Sequence, residues 1–407
     1  MRRPWHALAA MLLVGSSLTG CVPSKQESAK IDDAGRNLAD VREMLRQRGQ
    51  RLLAGDVEGY LRPVEAGGRA TEEAIARGAG TVSLAELNIV FNPERGVDIY
   101  ASSFKGVLVQ MFYGYRDLPN NTFRLGLTYD MWRGPSGWVV TSSRMEPESV
   151  PFWATGPVKT ERTEHFLALA RPGTPHVKEA LDLAEAARAS LVPKLTLELD
   201  ARHLVIVARD HVELMQASAL ELPEGVPALA RFLQRGDELP MARHMLVDVD
   251  YLFGSRASEK AAGHVGKNAF PTEVFRHELG HLALYRYQAP YLPGWVAEGG
   301  AMLLSGERRM DEWKAGLASG VFEQTSFTEL GRKANLGGAL EYGYANAAVT
   351  SLVEEFGVDR FWEFYSGFKR RGDTAEVVLR GAFRFDEAEL DGRTREWIKR
   401  SVTAEAE

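Results

Sequence analysis

The chain has 407 residues, enough for two or three domains, and 45% of them are hydrophobic and 26% charged. This composition is typical of a globular protein and excludes a disordered, collagen-like or multi-span membrane protein. The net charge of −6 gives no indication of a nucleic-acid partner or of a basic face for anionic lipid. Cys21 is the only cysteine, which excludes an intramolecular disulfide and a cysteine-based metal site.

The first twenty residues have the features of a secretion signal. Arg2 and Arg3 precede an uncharged, mostly apolar stretch over residues 7–18. Twelve helical residues rise about 18 Å, whereas a hydrocarbon core is about 30 Å thick. A signal peptide over residues 1–20 is therefore favoured over a spanning helix.

The apolar stretch ends in Leu-Thr-Gly directly before Cys21. This sequence resembles the lipobox of bacterial lipoproteins. The resemblance implies cleavage before Cys21 and acylation of this cysteine. The protein would then be held in the cell envelope by an N-terminal lipid anchor on a bacterial membrane, outside the cytoplasm. The alternative is an ordinary secretory peptide that is followed by an incidental cysteine.

A polar segment and an amphipathic helix are predicted next. Residues 21–33 are mostly polar and are expected to form a linker between the membrane and the fold. Leu38, Val41, Leu45 and Leu52 recur at helical spacing. They predict a helix over about 34–54 with one buried face.

From there to about residue 150 the pattern favours strands. Apolar and polar residues alternate over 123–131, and the turn residues that follow lead into another strand at 138–141. Similar runs occur at 87–91, 97–103 and 106–115. A curved antiparallel sheet with helices on one face is expected over 34–150, and its order of elements resembles the NTF2-like or cystatin-like α+β folds. Since no charged constellation suggests catalysis, a binding or spacer module is predicted.

A second α/β region is expected after a cluster of prolines at positions 147, 151 and 157. It is predicted to contain a helix over 177–191, a buried strand at 204–207, a further strand at 245–252, and a mainly helical part from 272 onward. The strand at 245–252 has two possible places. It lies either at an edge of the sheet, where an extended peptide can pair with it, or in the interior.

The motif with the clearest chemical meaning is His277-Glu278-Leu279-Gly280-His281, an HExxH sequence. On a helix, residues four apart lie on one face, so both imidazoles can reach one metal ion. Glu278 can reach a metal-bound water without itself binding the metal. Gly280 costs a helix about 1 kcal/mol relative to alanine, which the close approach of another segment would explain.

A second motif, Trp-Val-Ala-Glu-Gly at 295–299, opens a further predicted helix. A catalytic zinc needs a third protein ligand, and Glu298 lies seventeen residues after His281. The two motifs together resemble the gluzincins, zinc peptidases with a His, His, Glu ligand set, and look most like the bacterial peptidase MA-like proteins. The resemblance implies one Zn²⁺ per chain on His277, His281 and Glu298, with Glu278 as the general base.

The resemblance also implies the fold of residues 155–407. A gluzincin-type metallopeptidase domain has a small mixed sheet, the HExxH helix and a helical C-terminal part. Together with the N-terminal module, this makes the whole chain an α+β protein with two folded regions.

Two further positions bear on the resemblance. Gluzincins of this kind carry a tyrosine that donates a hydrogen bond to the oxyanion, and Tyr344 aligns better than Tyr342 with that position. Thermolysin-like enzymes place an acidic residue four positions after the ligand glutamate, where it orients one histidine. Met302 occupies that position in this chain. The partner of the histidine is therefore expected to come from elsewhere, such as backbone carbonyls.

These observations predict a membrane-tethered, extracytoplasmic zinc metallopeptidase that cleaves peptide or protein substrates with a zinc-activated water. No motif for an acidic anchor of a substrate α-amine is found, which favours an endopeptidase. The remaining histidines stand alone and are expected at the surface or in the core. One alternative is a non-catalytic envelope lipoprotein that keeps the peptidase fold for binding or assembly. Hydrolysis of another amide, such as a cell-wall peptide cross-link, would use the same residues.

Overall fold

The architecture comes from a computed structural model that describes residues 25–91, 93, 101–119, 121–195, 199–223, 225–233, 242–254, 270–284, 292–333, 336–368 and 373–406. The predicted signal peptide at 1–20, the lipidation candidate Cys21 and most of the predicted strand at 97–103 lie outside these residues. Among the helices of the described part, none is both long and apolar enough to cross a bilayer.

The N-terminal region consists of three helices followed by a four-stranded antiparallel sheet. In chain order the elements are α1 (Lys25–Leu53), α2 (Val57–Leu61), α3 (Ala66–Ala79), β1 (Leu84–Phe91), β2 (Ser103–Tyr115), β3 (Phe123–Gly134) and β4 (Gly137–Met145). The strands pair in sequence order, each with the next. Helix α1 begins at Lys25, so most of the segment expected to be a linker at 21–33 is helical.

Alternation within the strands decides which face of this sheet is buried. In β3, Phe123, Leu125, Leu127, Tyr129 and Met131 are all buried, whereas the residues between them are mostly more exposed. Because side chains alternate across a strand, this pattern gives one face to the core. Helices α1 and α3 pack on the sheet and contribute their own apolar residues to the same cluster.

A buried ion pair lies in this core. The guanidinium of Arg48 donates to the carboxylate of Glu72 at 2.6 Å, and both side chains are at most 1% exposed. Arg48 also donates to the hydroxyl of Tyr129 at 3.1 Å, and Ser143 donates to Glu72 at 2.5 Å. The hydroxyl of Tyr60 is a further donor to Glu72. The two charges are thus satisfied by hydrogen bonds as well as by each other, which a buried pair requires.

The second region begins after two short 3₁₀ turns, Pro147–Ser149 and Phe152–Thr155. Its strands are β5 (Lys159–Arg162), β6 (Phe166–Ala170), β7 (His203–Ala208), β8 (Ala228–Leu233) and β9 (Ala242–Asp248). Between and after them lie α4 (Val177–Leu191), α5 (His211–Ser218), α6 (Val249–Phe253), α7 (Phe270–Leu284), α8 (Gly294–Ser305), α9 (Met310–Ser319), α10 (Val321–Gln324), α11 (Phe327–Leu330), α12 (Ala339–Phe356), α13 (Val358–Tyr365), α14 (Ala375–Phe383) and α15 (Glu387–Ala406).

The strands of the second region form a mixed sheet in the order β5-β6-β7-β9-β8. Strands β6, β7 and β9 are parallel, and the two edge strands β5 and β8 are antiparallel to their neighbours. The predicted helix at 177–191 and the predicted strand at 204–207 are confirmed. The strand predicted at 245–252 ends at Asp248 and lies in the interior, so the edge nearest to α7 is β8.

Both faces of this second sheet are covered. In β6, Phe166, Ala168 and Ala170 belong to the core that the C-terminal helices form, whereas Leu167 and Leu169 belong to the core of the N-terminal region. Parallel strands are usually buried on both faces, and here the N-terminal region supplies one of the two covers. The two regions are therefore packed directly against each other across the sheet, and the whole is a mixed α+β structure.

Candidate metal centre

The HExxH motif lies in the second half of α7. His277 and His281 are one helical turn apart and their ring centroids are 4.8 Å from each other. A Cβ atom on Gly280 would be 3.2 Å from the carbonyl oxygen of Ala301 and 3.3 Å from its Cα. Gly280 thus allows α8 to approach α7 closely, as its position inside the motif suggested.

Close packing also fixes the start of α8, which carries Glu298, the third ligand candidate. Trp295 is fully buried, as a core anchor should be. A Cβ atom on Gly299 would be 2.4 Å from a methyl group of Val349, and one on Gly300 would be 2.9 Å from the ring of Tyr365. Because these two glycines let α8 lie against its neighbours, Glu298 has little freedom to move away from α7.

The three predicted ligand residues come together. Nε2 of His277 lies 3.1 Å from Nε2 of His281 and 3.1 Å from Oε2 of Glu298, and Nε2 of His281 lies 3.3 Å from the same carboxylate oxygen. Their ligand atoms form a compact group within the described residues, all within 4.8 Å of one another. The rings and the carboxylate are only 11–20% exposed.

These distances fit a zinc ion. Tetrahedral coordination with bonds of about 2.0–2.1 Å places ligand atoms roughly 3.3 Å apart, which is close to all three separations. The donor chemistry agrees with this geometry, because unprotonated imidazole nitrogens and a carboxylate oxygen are all electron-rich. A metal ion between these atoms would accept a lone pair from each of them.

A carboxylate that sequence reasoning missed fixes the tautomer of one histidine. Oε1 of Glu307 lies 2.8 Å from Nδ1 of His277. Since a carboxylate only accepts, Nδ1 carries the proton and Nε2 is free for a metal. Glu307 is held in turn by Ser305, which donates to Oε1 at 2.8 Å, and by Arg309, which donates to Oε2 at 2.7 Å. The expected backbone carbonyl is therefore replaced by a side chain.

Glu307 reaches His277 because α8 ends in a tight turn. Gly306 has a φ of 76°, the left-handed conformation that commonly terminates helices, and the chain reverses there. The acidic residue consequently follows the ligand glutamate by nine positions rather than four. The sequence did contain a signal for this partner, because Gly306 and the acidic Glu307 directly follow the helix that carries Glu298.

Glu278 lies beside the three ligand candidates at the wall of a cleft of about 260 Å³. Its carboxylate accepts a hydrogen bond of 2.5 Å from the backbone N–H of Ala230 in the edge strand β8. The cleft is bounded by residues 225–227 and Ala228, the first residue of β8. Its other lining residues are Glu273, Val274, His277 and Glu278 of α7, together with Tyr251, Glu307, Arg309 and Tyr342.

The two tyrosines considered for oxyanion stabilisation lie in different places. Tyr342 lines the cleft. Burial raises the pKa of its hydroxyl, and so do the charges of Glu298 and Glu278. Tyr344 is completely buried, and its hydroxyl donates to Asp391 at 3.1 Å, away from the cleft. The choice of Tyr344 over Tyr342 therefore does not match the structure, in which Tyr344 packs in the helical core and stacks on Phe327.

The carboxylates of Glu298 and Glu307 favour positive charge at the centre of the group. Burial lowers the pKa of His277, but the charge of Glu307 and hydrogen bonds to Glu298 and Glu307 outweigh it and raise this pKa above its ordinary value. Burial raises the pKa of Glu298, but His281 and His277 lower it well below its usual range. For Glu278, burial is the largest influence and raises the pKa of the carboxyl.

Other histidines within the described residues stay apart from this group, as expected. His203 and His244 are buried in the second sheet, and burial lowers their pKa values to about 4 and about 3. His165 pairs with Glu185, and His176 pairs with Glu179.

No protein-family model and no curated protein matches the chain. Among solved structures, it is similar to the M1 zinc metallopeptidase from Deinococcus radiodurans, at 13% identity and a TM-score of 0.29, covering 77% of this chain and 69% of that one. Two structures of a point mutant of that enzyme, one of them bound to a Tyr-Ser-Ala substrate, are similar at 12% identity and TM-scores of 0.28 and 0.29. They cover 77% of this chain and 70% of theirs. The likeness is distant, so the interpretation of the centre depends on its own geometry.

Proposed function

We propose that the protein is a zinc-dependent peptidase that hydrolyses peptide bonds in peptide or protein substrates. The observation that carries the proposal is the arrangement of His277, His281 and Glu298, whose donor atoms have the mutual distances of tetrahedral zinc ligands. Glu278 adds a feature that a purely structural zinc site does not need. It is a buried carboxylate beside the ligands, at the wall of an open cleft.

Each residue of the centre has a role in this proposal. Zinc bound to the three ligands would polarise the scissile carbonyl and lower the pKa of water from 15.7 to about 7. Glu278 would take the proton from the attacking water and then deliver it to the leaving amine nitrogen as the C–N bond breaks. Its raised pKa suits this exchange, because a general base works best with a pKa near the working pH.

Two other parts of the cleft would bind the substrate. Tyr342 lines the cleft and interacts electrostatically with Glu278 and Glu298, and it would donate a hydrogen bond to the developing oxyanion. Among the described strands β8 is an edge of the sheet, and Ala228 at its start lines the cleft together with residues 225–227 before it. An extended peptide would pair with backbone groups of this edge other than the Ala230 N–H, which donates to Glu278.

We also propose that the protein acts outside the cytoplasm, tethered to a bacterial membrane by lipid on Cys21. The support is the lipobox-like sequence before Cys21 and the position of this residue as the only cysteine. Detergent-phase partitioning of the full chain, compared with Cys21→Ala, tests this part. Equal partitioning of the two into the aqueous phase would contradict the tether.

The peptidase proposal is tested by metal content and by cleavage of an unstructured protein such as casein. Elemental mass spectrometry should find about one zinc per chain in the wild type and in Glu278→Gln, and much less in His277→Ala. Glu278→Gln should lose nearly all cleavage while it keeps zinc. Wild-type activity in Glu278→Gln would show that the assigned base is wrong. A wild type that binds no supplied zinc would exclude the enzyme and leave the binding or assembly alternative.

A further inference from the structure

The face of the second sheet that packs on the N-terminal region includes the edge strand β8. Arg231 of β8 is paired with His244 of β9, and both side chains line a cavity of about 30 Å³ between the two sheets. Tyr113, Tyr115 and Phe123 of the N-terminal sheet line it from the other side. The ring of Phe123 lies 5.9 Å from that of His244.

Arg231 is the polar link across this contact. Its guanidinium donates to the carbonyl oxygen of Glu148 at 2.8 Å and to that of Ala217 at 3.5 Å. Glu148 lies in the 3₁₀ turn that follows the last strand of the N-terminal sheet. A guanidinium donates from a rigid planar group, so these bonds restrict both the position and the direction of β8.

The residue before Arg231 contacts the proposed catalytic base. The backbone N–H of Ala230 donates to Oε2 of Glu278 at 2.5 Å. Within the described part of the chain, β9 is the only strand that pairs with β8. A small displacement of β8 would therefore move the Ala230 N–H, which is a direct partner of Glu278.

We propose that Arg231 is a positioning residue through which the N-terminal region holds β8 in place, so that the Ala230 N–H orients the carboxylate of Glu278. The N-terminal region is then a structural part of the catalytic centre rather than a separate binding or spacer module. This inference rests on the proposed function only for the catalytic consequence. The mechanical link between Arg231 and Ala230 does not require that function.

The chain offers a matched control at the opposite edge of the same sheet. Arg162 in β5 donates to Asp117 of the N-terminal region at 2.7 Å. Arg162→Ala thus removes another arginine that joins the two regions, but at the edge far from β8. Arg231→Lys keeps the charge without the planar group, and Arg231→Met keeps the apolar stem if Arg231→Ala does not fold.

The experiment compares these variants with the wild type as full, zinc-loaded chains. Amide hydrogen exchange of the segment 228–233 should be faster in Arg231→Ala and partly restored in Arg231→Lys, and it should be unchanged in Arg162→Ala. With casein as substrate, kcat should fall about 10- to 100-fold in Arg231→Ala, because a small misplacement of a catalytic group has effects of that size. KM and zinc content should stay within about twofold of wild type.

Unchanged exchange in the segment together with unchanged kcat in Arg231→Ala would overturn the inference. So would an equal loss in Arg162→Ala, since that result would mean a general effect of weakened packing. If the zinc-loaded wild type cleaves nothing, the proposed function fails by itself. The exchange comparison still decides whether Arg231 positions β8.

Discussion

Glu307 offers the most direct test of how the centre is built. Its carboxylate is the partner of Nδ1 of His277 at 2.8 Å, and it is only 10% exposed. Removing the partner of a metal-binding histidine typically weakens metal binding about 10- to 100-fold, which corresponds to about 1.4–2.7 kcal/mol. Glu307→Gln keeps an acceptor but loses the charge, so its loss of zinc affinity should be near tenfold. Glu307→Ala leaves the Nδ1 proton without a partner, so its loss of zinc affinity should be near 100-fold.

The assay is zinc affinity measured by competition with chelators of graded strength, which needs no knowledge of the substrate. Glu312→Gln is the matched control, because Glu312 also pairs with Arg309, at 3.2 Å, and is not part of the His277 contact. Wild-type zinc affinity in Glu307→Ala, or an equal loss in Glu312→Gln, would refute the assignment of Glu307 as the group that orients His277.

Three further predictions concern the tyrosines, the buried ion pair and pH. Tyr342→Phe should lower kcat about 100-fold with little change in KM, because it removes the proposed oxyanion donor. Tyr344→Phe should keep kcat and lose about 1 kcal/mol of unfolding free energy in urea titrations, and the reverse pattern would restore the original choice of Tyr344. Glu72→Gln leaves the buried Arg48 without its charge partner and should lower the free energy of unfolding by about 3–5 kcal/mol. Glu73→Gln, at the exposed neighbouring position, should lower it by less than about 1 kcal/mol. Similar losses in the two variants would contradict the role of the pair. Burial raises the pKa of Asp391 to about 6, so its favourable contribution to folding is lost as pH rises from about 4 to 6. Asp391→Asn should therefore gain stability relative to wild type over that interval, and a pH-independent difference would count against this cause.

The ligand residues were accessible to sequence reasoning because they depend on local geometry. His277 and His281 are brought together by the helix itself, and the same pattern of apolar positions that predicts α7 places them on one face. The prediction of Glu298 as the third ligand required only a short connection and a returning helix after the motif. The half-buried strand at 123–131 was equally accessible, because alternation is a local signal.

Other features depended on tertiary context that no local pattern contains. Tyr342 and Tyr344 are two positions apart, which is about 200° around a helix, so choosing between them requires the rotation of α12 against its neighbours. Glu307 reaches His277 only through the reversal at Gly306. The interior position of β9 follows from the spatial order of the strands in the sheet, which an apolar run in the sequence does not specify.

Helix α1 limits where the cleft can act if the chain is anchored at Cys21. The helix has 29 residues and begins at Lys25. Because it packs on the N-terminal sheet from about Asn37 onward, only about 12 residues of it, roughly 18 Å, precede the folded core. However residues 22–24 are arranged, they span at most about 11 Å, whereas an extended linker over 21–33 would span about 45 Å. The connection between the lipid and the folded core would thus be a few residues of chain followed by about three turns of helix. Such an enzyme would select its substrates by their distance from the membrane surface as well as by their sequence.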